Sequence, residues 1–280
     1  MIVSNYSETR RLLKKYDAHA KKHFGQNFII DPSVVKTIAQ KCGTDSETVC
    51  LEIGAGMGSL TQQLSLTSKH VYAFEIDPLM ISILDETLQG YSNTTVFFAD
   101  FLKADLSFLS SQERVVVCAN VPYYITTPIL FKLLESPVQF ESMTLMMQKE
   151  IADRLNAEPK TKQYSSLSIL FQYFFTMKKI MSVSKQSFYP QPNVDSSVLQ
   201  FIPKPERINQ ASEAFFDFVH RCFNQRRKTI QNNLKNIGYS DEAIQGLKLE
   251  GIDLSVRPEA MDVHDYLKIY ALLENTVQDK

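Results

Sequence analysis

The sequence predicts an α/β fold, a doubly wound and mostly parallel sheet, followed by a small C-terminal all-helical domain. Three observations carry this. An apolar run, Val49-Cys50-Leu51, leads into the glycine-rich stretch Gly54-Ala55-Gly56-Met57-Gly58, and Ser59, Leu60, Thr61 and Leu64 then open a helix. Further apolar strands recur at 71–74, 95–99, 115–119 and 143–147 with helical patterns between them, the rhythm of a parallel sheet. Beyond Pro203-Lys204-Pro205-Glu206 only helical periodicity remains, over roughly 211–223, 226–236, 240–248 and 262–274.

At 280 residues and 44% hydrophobic composition the chain suits one large domain and one small one. The domains are placed at 1–202, with a basic amino-terminal arm, and at 203–280. The four cysteines, Cys42, Cys50, Cys118 and Cys222, are scattered without metal spacing and read as reduced thiols. No apolar run approaches a membrane span. Arg10, Arg11, Lys14 and Lys15 are followed by no apolar core, and Glu8 and Asp17 interrupt the basic stretch, so no secretory or mitochondrial leader is expected. A cytoplasmic location follows. The net charge of −1 is not that of a strongly basic nucleic-acid binder.

Taken in order, residues 1–23 read as a solvated, partly frayed tail. His19 and His23 share a helical spacing but lack a third ligand, so no metal site is assigned. Phe24-Gly25-Gln26-Asn27-Phe28-Ile29-Ile30 suits either a loop whose amides meet a polar ligand or a plain turn before a helix that Asp31 caps and Pro32 begins. In the glycine stretch the glycines alternate behind Glu52, unlike the dinucleotide pattern. This acid-x-Gly-x-Gly-x-Gly run is similar to the first motif of methyltransferases that use S-adenosylmethionine (SAM). Glu75 ends the 71–74 strand about 20 residues on, where doubly wound folds place the acid that grips ribose hydroxyls. Asp77 and Pro78 look like a helix start. Asp100 closes the 95–99 strand as an acceptor for an adenine amine or as a helix cap.

The strand 115–119 ends in Asn120-Val121-Pro122-Tyr123-Tyr124. An exocyclic adenine amine is a poor nucleophile because its lone pair is delocalised into the ring. Two acceptors that take both N–H hydrogens favour the pyramidal nitrogen. The Asn120 side chain supplies one and a carbonyl of Val121 or Pro122 the other, with Pro122 stiffening the turn and Tyr123 stacking on the base. A base in folded nucleic acid must be turned out to reach such a pocket. Phe188, in the proline-rich 188–195 loop, is either the ring for the opposite face of the base or core packing. Residues 148–155 and 165–175 read as helices flanking a basic loop, and Val198–Ile202 as one arm of a hairpin with Ile180–Val183.

These segments, together with Gln148-Lys149-Glu150-Ile151-Ala152-Asp153-Arg154-Leu155, Phe188-Tyr189-Pro190-Gln191-Pro192-Asn193-Val194-Asp195-Ser196, Arg226-Arg227-Lys228-Thr229-Ile230 and Arg257-Pro258-Glu259-Ala260, resemble the ribosomal RNA adenine N6,N6-dimethyltransferases over nearly the whole chain, and within them the bacterial small-subunit branch. The resemblance implies a SAM-dependent methyltransferase (Rossmann-like) catalytic domain and a helical RNA- and ribosome-binding domain. It implies SAM held by Asn27, the backbone at Ile29, the glycine turn at Gly54 and Gly56, Glu75, Asp100 and Asn120. The partner implied is 16S rRNA in the immature 30S subunit, with a monomeric enzyme, no metal and no membrane. Two adjacent adenines in a hairpin loop near the 3′ end would each receive two methyls, so the pocket must tolerate N6-methyladenine. Val121 stands where the family has Leu or Ile, and His23 where a basic residue is common.

Lys149, Arg154, Lys160, Lys162, Arg221, Arg226, Arg227 and Lys228 would give RNA a basic face, unless the last three are a solvated helix face. Two other readings share much of the pattern. One is the large-subunit (23S) dimethyltransferase of macrolide resistance. The other is a non-catalytic assembly or transcription-factor relative, against which the intact Asn120–Tyr123 loop and Glu75 speak.

Overall fold

The structure, a computed structural model, describes residues 2–21, 24–204 and 213–278. Lys22 and His23, Pro205 and Glu206, and the expected helix start at 211 lie outside the described residues.

The chain divides into two compact units, 1–152 with 177–202, and 153–176 with 203–280. In the first, strands β2 (Val49–Ile53), β3 (His70–Glu75), β4 (Thr94–Phe98), β5 (Val115–Asn120), β6 (Ser142–Gln148), β7 (Phe175–Val183) and β9 (Ser196–Pro203) form one sheet of order β4-β3-β2-β5-β6-β9-β7 among the described residues. The pairs β4/β3, β3/β2, β2/β5 and β5/β6 are parallel, and β6/β9 is antiparallel. The central strands are buried throughout, which is why they read as unbroken apolar runs rather than alternating ones. The order reverses between β2 and β5, and that switch point opens a crevice at the strands' carboxyl ends. Helices α2 (Pro32–Lys41), α3 (Ser59–Ser65), α4 (Pro78–Thr87) and α5 (Thr126–Leu134) lie in the connections. Asp31 caps α2 through the Ser33 amide (3.0 Å), with Pro32 in its first turn.

The amino-terminal arm is not a frayed tail. Tyr6–Lys15 forms helix α1, capped by Asn5, and buries Thr9, Leu12 and Leu13. Val3, Leu12, Leu13 and Ala18 pack with Phe28, Met57, Met80 and Ile83. The basic residues that dominate the composition sit on the outer face, where Arg11 and Lys15 pair with Glu86 (3.0 and 2.6 Å). A second difference is the two-residue pair β1 (Phe28–Ile29) and β8 (Phe188–Tyr189), antiparallel, with Phe28 opposite Tyr189 and Ile29 opposite Phe188. It fastens the start of the chain to the proline-rich segment.

The second unit holds α7 (Ser166–Phe174), α8 (Glu213–Cys222), α9 (Ile230–Ile237), α10 (Asp241–Leu249) and α11 (Val263–Gln278); α6 (Lys149–Leu155) ends in it. Its core is aromatic: Tyr173 lies 5.6 Å from Phe215, and Phe215 and Phe218 each lie 5.4 Å from Tyr270. One crossing between the units falls at Pro203, where the sequence placed the boundary. The segment 153–176 nevertheless groups with the carboxyl-terminal helices, because α7 turns its apolar face to α8 and α11. The helix expected from 226 starts at Ile230, where the Thr229 side chain caps it, so Arg226–Lys228 occupy a turn. Among the described residues no helix is long and apolar enough to cross a membrane.

Candidate active site

A cavity of about 260 Å³ opens at the switch point. It is lined by the turns that follow β2, β3, β4 and β5, and by Phe24–Ile29. Gly54, Gly56 and Gly58 all have positive φ (75°, 57° and 88°), which side chains rarely adopt. The Gly54 and Ala55 amides both donate to Phe74 O, which seats the turn between β2 and β3. A Cβ on Gly58 would come within 3.0 Å of the Thr87 hydroxyl, so this glycine serves packing, while Gly54 and Gly56 face the cavity.

Glu75 is buried at the end of β3. Its Oε2 accepts from the Gly56 amide (2.7 Å), and its Oε1 from the amides of Ile76 and Asp77 (both 2.9 Å). Burial pushes its pKa up, and these amide bonds oppose the shift. The carboxylate is thus fixed in orientation on the cavity wall. Asp100 caps a turn and also lies on the cavity wall; its Oδ1 accepts from the Leu102 amide (3.0 Å) of a short 3-10 turn.

Glu52 is a site residue that the sequence reading passed over. It lines the cavity at 1% exposure, and its Oε2 has no hydrogen-bond partner among the described residues. Burial pushes its pKa up to about 8, the neighbouring Thr61 hydroxyl opposes the rise, and the charge of Glu75 adds to it. A buried carboxyl oxygen without a partner is costly, and a cationic group would satisfy it. The signal was present as the acid that opens the glycine motif.

Asn120 ends β5 and its Nδ2 donates to Asn27 O at 3.4 Å, which leaves its side-chain oxygen to accept. The Pro122 carbonyl accepts from the Ile125 amide and the Thr126 hydroxyl, both at 3.2 Å. The same hydroxyl lies 3.3 Å from Tyr123 O, so the Pro122 carbonyl is engaged within the turn. Tyr123 is half-buried on the cavity wall, with its hydroxyl 2.6 Å from Ser196 Oγ at the start of β9. Burial raises its pKa. Tyr124, 54% exposed, stands at the rim against Gly25. A Cβ on Gly25 would approach that ring to 3.1 Å from a backbone already at φ +62°.

Asn27 and Ile29 lie in the amino-terminal wall. Asn27 Nδ2 donates to Gly25 O (3.0 Å), and Ile29 is held by β8. The structure thus brings Asn27, Ile29, Gly54, Gly56, Glu75, Asp100, Asn120, Pro122 and Tyr123 around one cavity. Of the two readings of Phe188 the structure favours core packing: it is 2% exposed, packs with Ile29, Val35 and Val198, and is not among the residues that line this cavity.

Of the basic residues, Lys149 is exposed in the first unit, and Arg154, Arg221, Arg226, Arg227 and Lys228 belong to the second. Two of these have structural work. Arg226 Nη2 donates to the carbonyls of Lys162 (3.2 Å) and Tyr164 (2.8 Å), and Arg221 Nη2 to Ile237 O (2.9 Å). Arg227 and Lys228 project from the turn into solvent. Among the described residues no group of three His, Cys, Asp or Glu could hold a metal ion.

A family model described as ribosomal RNA adenine dimethylase matches residues 17–275. The chain is 42% identical over 280 residues to the ribosomal RNA small subunit methyltransferase A of Staphylococcus aureus, covering 96% of this chain and 94% of that relative. Among solved structures, a dimethyladenosine transferase from Plasmodium falciparum superposes with a TM-score of 0.79 at 27% identity, over 88% of this chain and 97% of that one. The 23S rRNA methyltransferase ErmE gives 0.70 at 25% identity, over 89% and 100%. With the match running from the amino-terminal segment through the last helix, the chain belongs to the ribosomal RNA adenine dimethylase family.

Proposed function

We infer that the protein is a SAM-dependent methyltransferase that converts two adjacent adenosines, in the 3′-terminal hairpin loop of 16S rRNA, to N6,N6-dimethyladenosine during small-subunit assembly. The observation that carries this is the Asn120–Tyr123 turn, with the side-chain oxygen of Asn120 left to accept, opening on the same cavity as the glycine turn and Glu75. The small-subunit relative, at 42% identity across almost the whole chain, favours this RNA over the 23S alternative.

The bound cofactor supplies a methyl group on a cationic sulfur, an activated centre that needs no metal. The residues fit it. Gly54 and Gly56 let the ligand approach the backbone, Glu75 takes the ribose hydroxyls on its remaining lone pairs, and Asp100 accepts from the adenine amine. Glu52, with its orphaned oxygen, takes the cationic amine of the methionine portion. On the acceptor side, Asn120 Oδ1 and Val121 O receive the two N6–H hydrogens of the target base and hold the nitrogen pyramidal. Tyr123 stacks on the base. Transfer leaves the nitrogen cationic with both hydrogens, and it then loses one proton to solvent; one N–H remains, and one of the two acceptors grips it for the second transfer.

Methyl transfer to immature small subunits, read by primer extension, tests the assignment. A strain without this chain should lose the paired stop near the 3′ end of the small-subunit rRNA, and the purified protein should restore it. An intact stop in the deletion strain refutes the reading. Light scattering should report a monomer.

Ser196 holds the Tyr123 hydroxyl, so Ser196→Ala and Tyr123→Phe should each lower kcat about 5–10-fold, as loss of one hydrogen bond does. SAM affinity should not change, and the double variant should be no worse than either single, a coupling that a double-mutant cycle measures.

Arg227 and Lys228 are proposed to contact phosphate. Reversing both to Glu should weaken RNA binding and reduce the salt slope by about two. A slope equal to wild type would remove them from the interface. Arg226 is a poor reporter here, because its substitution also frees the Lys162 and Tyr164 carbonyls.

A further inference from the structure

Asp77 follows Glu75 by two positions and begins α4. Its side chain is fully buried. Oδ1 accepts from the Leu79 amide (3.0 Å) and from Lys21 Nζ (2.8 Å), and Oδ2 accepts from Gln26 Nε2 (2.8 Å). The other end of the Gln26 amide closes the ring, with Oε1 accepting from the Lys21 backbone amide at 2.8 Å. The Lys21 ammonium also lies 5.5 Å from the ring of Phe24, a cavity-wall residue. On its backbone side, the Asp77 amide donates to Glu75 Oε1. One residue therefore touches both walls of the cavity: the proposed ribose acid through its amide, and the Phe24–Asn27 segment through its carboxylate.

We propose that Lys21, Gln26 and Asp77 form a clasp that positions the amino-terminal wall of the cofactor cavity and thereby sets the affinity for SAM. This rests on the functional reading given above. Capping α4 takes only the bond from Leu79, so the cap does not account for the other two donors. Both come from the segment that carries Asn27, across more than fifty positions of sequence. The clasp also reaches the acceptor side, because Asn27 O is the group that Asn120 Nδ2 bonds. Lys21 and Asp77 stand behind the cavity lining, and Gln26 lines the cavity with its side-chain amide held by Lys21 and Asp77. They are positioning residues, and their effect falls on cofactor binding before it falls on transfer.

Titration calorimetry with SAM on the full chain tests this, alongside thermal melting of the free protein. The set is wild type, Lys21→Ala, Gln26→Ala, the double variant and Lys21→Arg. Asp77 is left intact so that α4 keeps its cap. The double variant should bind SAM at least about ten-fold more weakly, a change of about 1.4 kcal/mol. Its kcat at saturating SAM should stay within about three-fold of wild type, and Lys21→Arg, which keeps the ion pair, should recover most of the affinity. Unchanged affinity in the double variant overturns the clasp. A loss of affinity that only follows a lowered melting temperature, and that Arg does not rescue, also overturns it, because the residues would then be merely structural. If wild type binds no SAM, the functional reading falls and the clasp with it. If wild type binds and the variants match it, only the clasp falls.

Discussion

Asn120→Ala should reduce methyl transfer by at least about 100-fold, the loss typical of removing a preorganised group aimed at a reacting centre. Fold and melting temperature should hold, because Asn120 is half-buried at a strand end and its side-chain bond to Asn27 O is long at 3.4 Å. SAM affinity should fall far less than kcat, since Glu75, Asp100 and the glycine turn remain. Asn120→Asp tests the chemistry more sharply. It keeps an acceptor but loses the Nδ2 donor and places a negative charge opposite Asn27 O, so it should also be impaired. Substantial dimethylation by Asn120→Ala in the subunit assay would remove Asn120 from the mechanism.

Glu52→Gln should move stability and affinity in opposite directions. The folded protein holds the Glu52 proton up to a pKa of about 8, whereas an unfolded carboxyl releases it near 4.5. Between these values the folded state binds more protons, so this group's contribution to stability falls as pH rises from about 4.5 to about 8 and is level above. Glutamine carries no such penalty. The free variant should therefore melt several degrees above wild type at pH 8 and alongside it at pH 4.5, since each pKa unit is worth about 1.4 kcal/mol. Cation binding needs the ionised form. In wild type the SAM dissociation constant should pass through a minimum near pH 8, because Glu52 ionises with a pKa of about 8 while the ligand's α-amine loses its proton in the same range. Glu52→Gln should bind more weakly and show no gain in affinity from about pH 7 to 8. A parallel pH profile in both proteins would place the amine elsewhere.

Much of the fold was legible because parallel strands buried on both faces leave unbroken apolar runs, and three of these runs end in a residue that lines the cavity: Ile53 before Gly54, Glu75 and Asn120. What the pattern missed had physical causes. The basic residues of α1 masked an apolar stripe at Thr9, Leu12 and Leu13. Strands β1 and β8 are two residues long, too short to show any period, and their pairing is with distant chain. Phe188 was placed by that pairing and not by its neighbours in sequence. Residues 153–176 join the helical unit through tertiary packing, which linear composition does not report. Thr229, the cap of α9, marks the helix start that a run of basic residues had drawn too early.

The pairing of Phe28 and Ile29 with Tyr189 and Phe188 also bears on how the protein is made. A ribosome releases the chain from its amino terminus, so the first wall of the cavity emerges long before the strand that fastens it. Strands β2 to β6 can assemble in the meantime by local strand–helix–strand steps, whereas β1 must wait for a partner of large sequence separation, a slow kind of contact to close. The β1–β8 pairing is thus a late event in biosynthesis, reached after most of the sheet is in place.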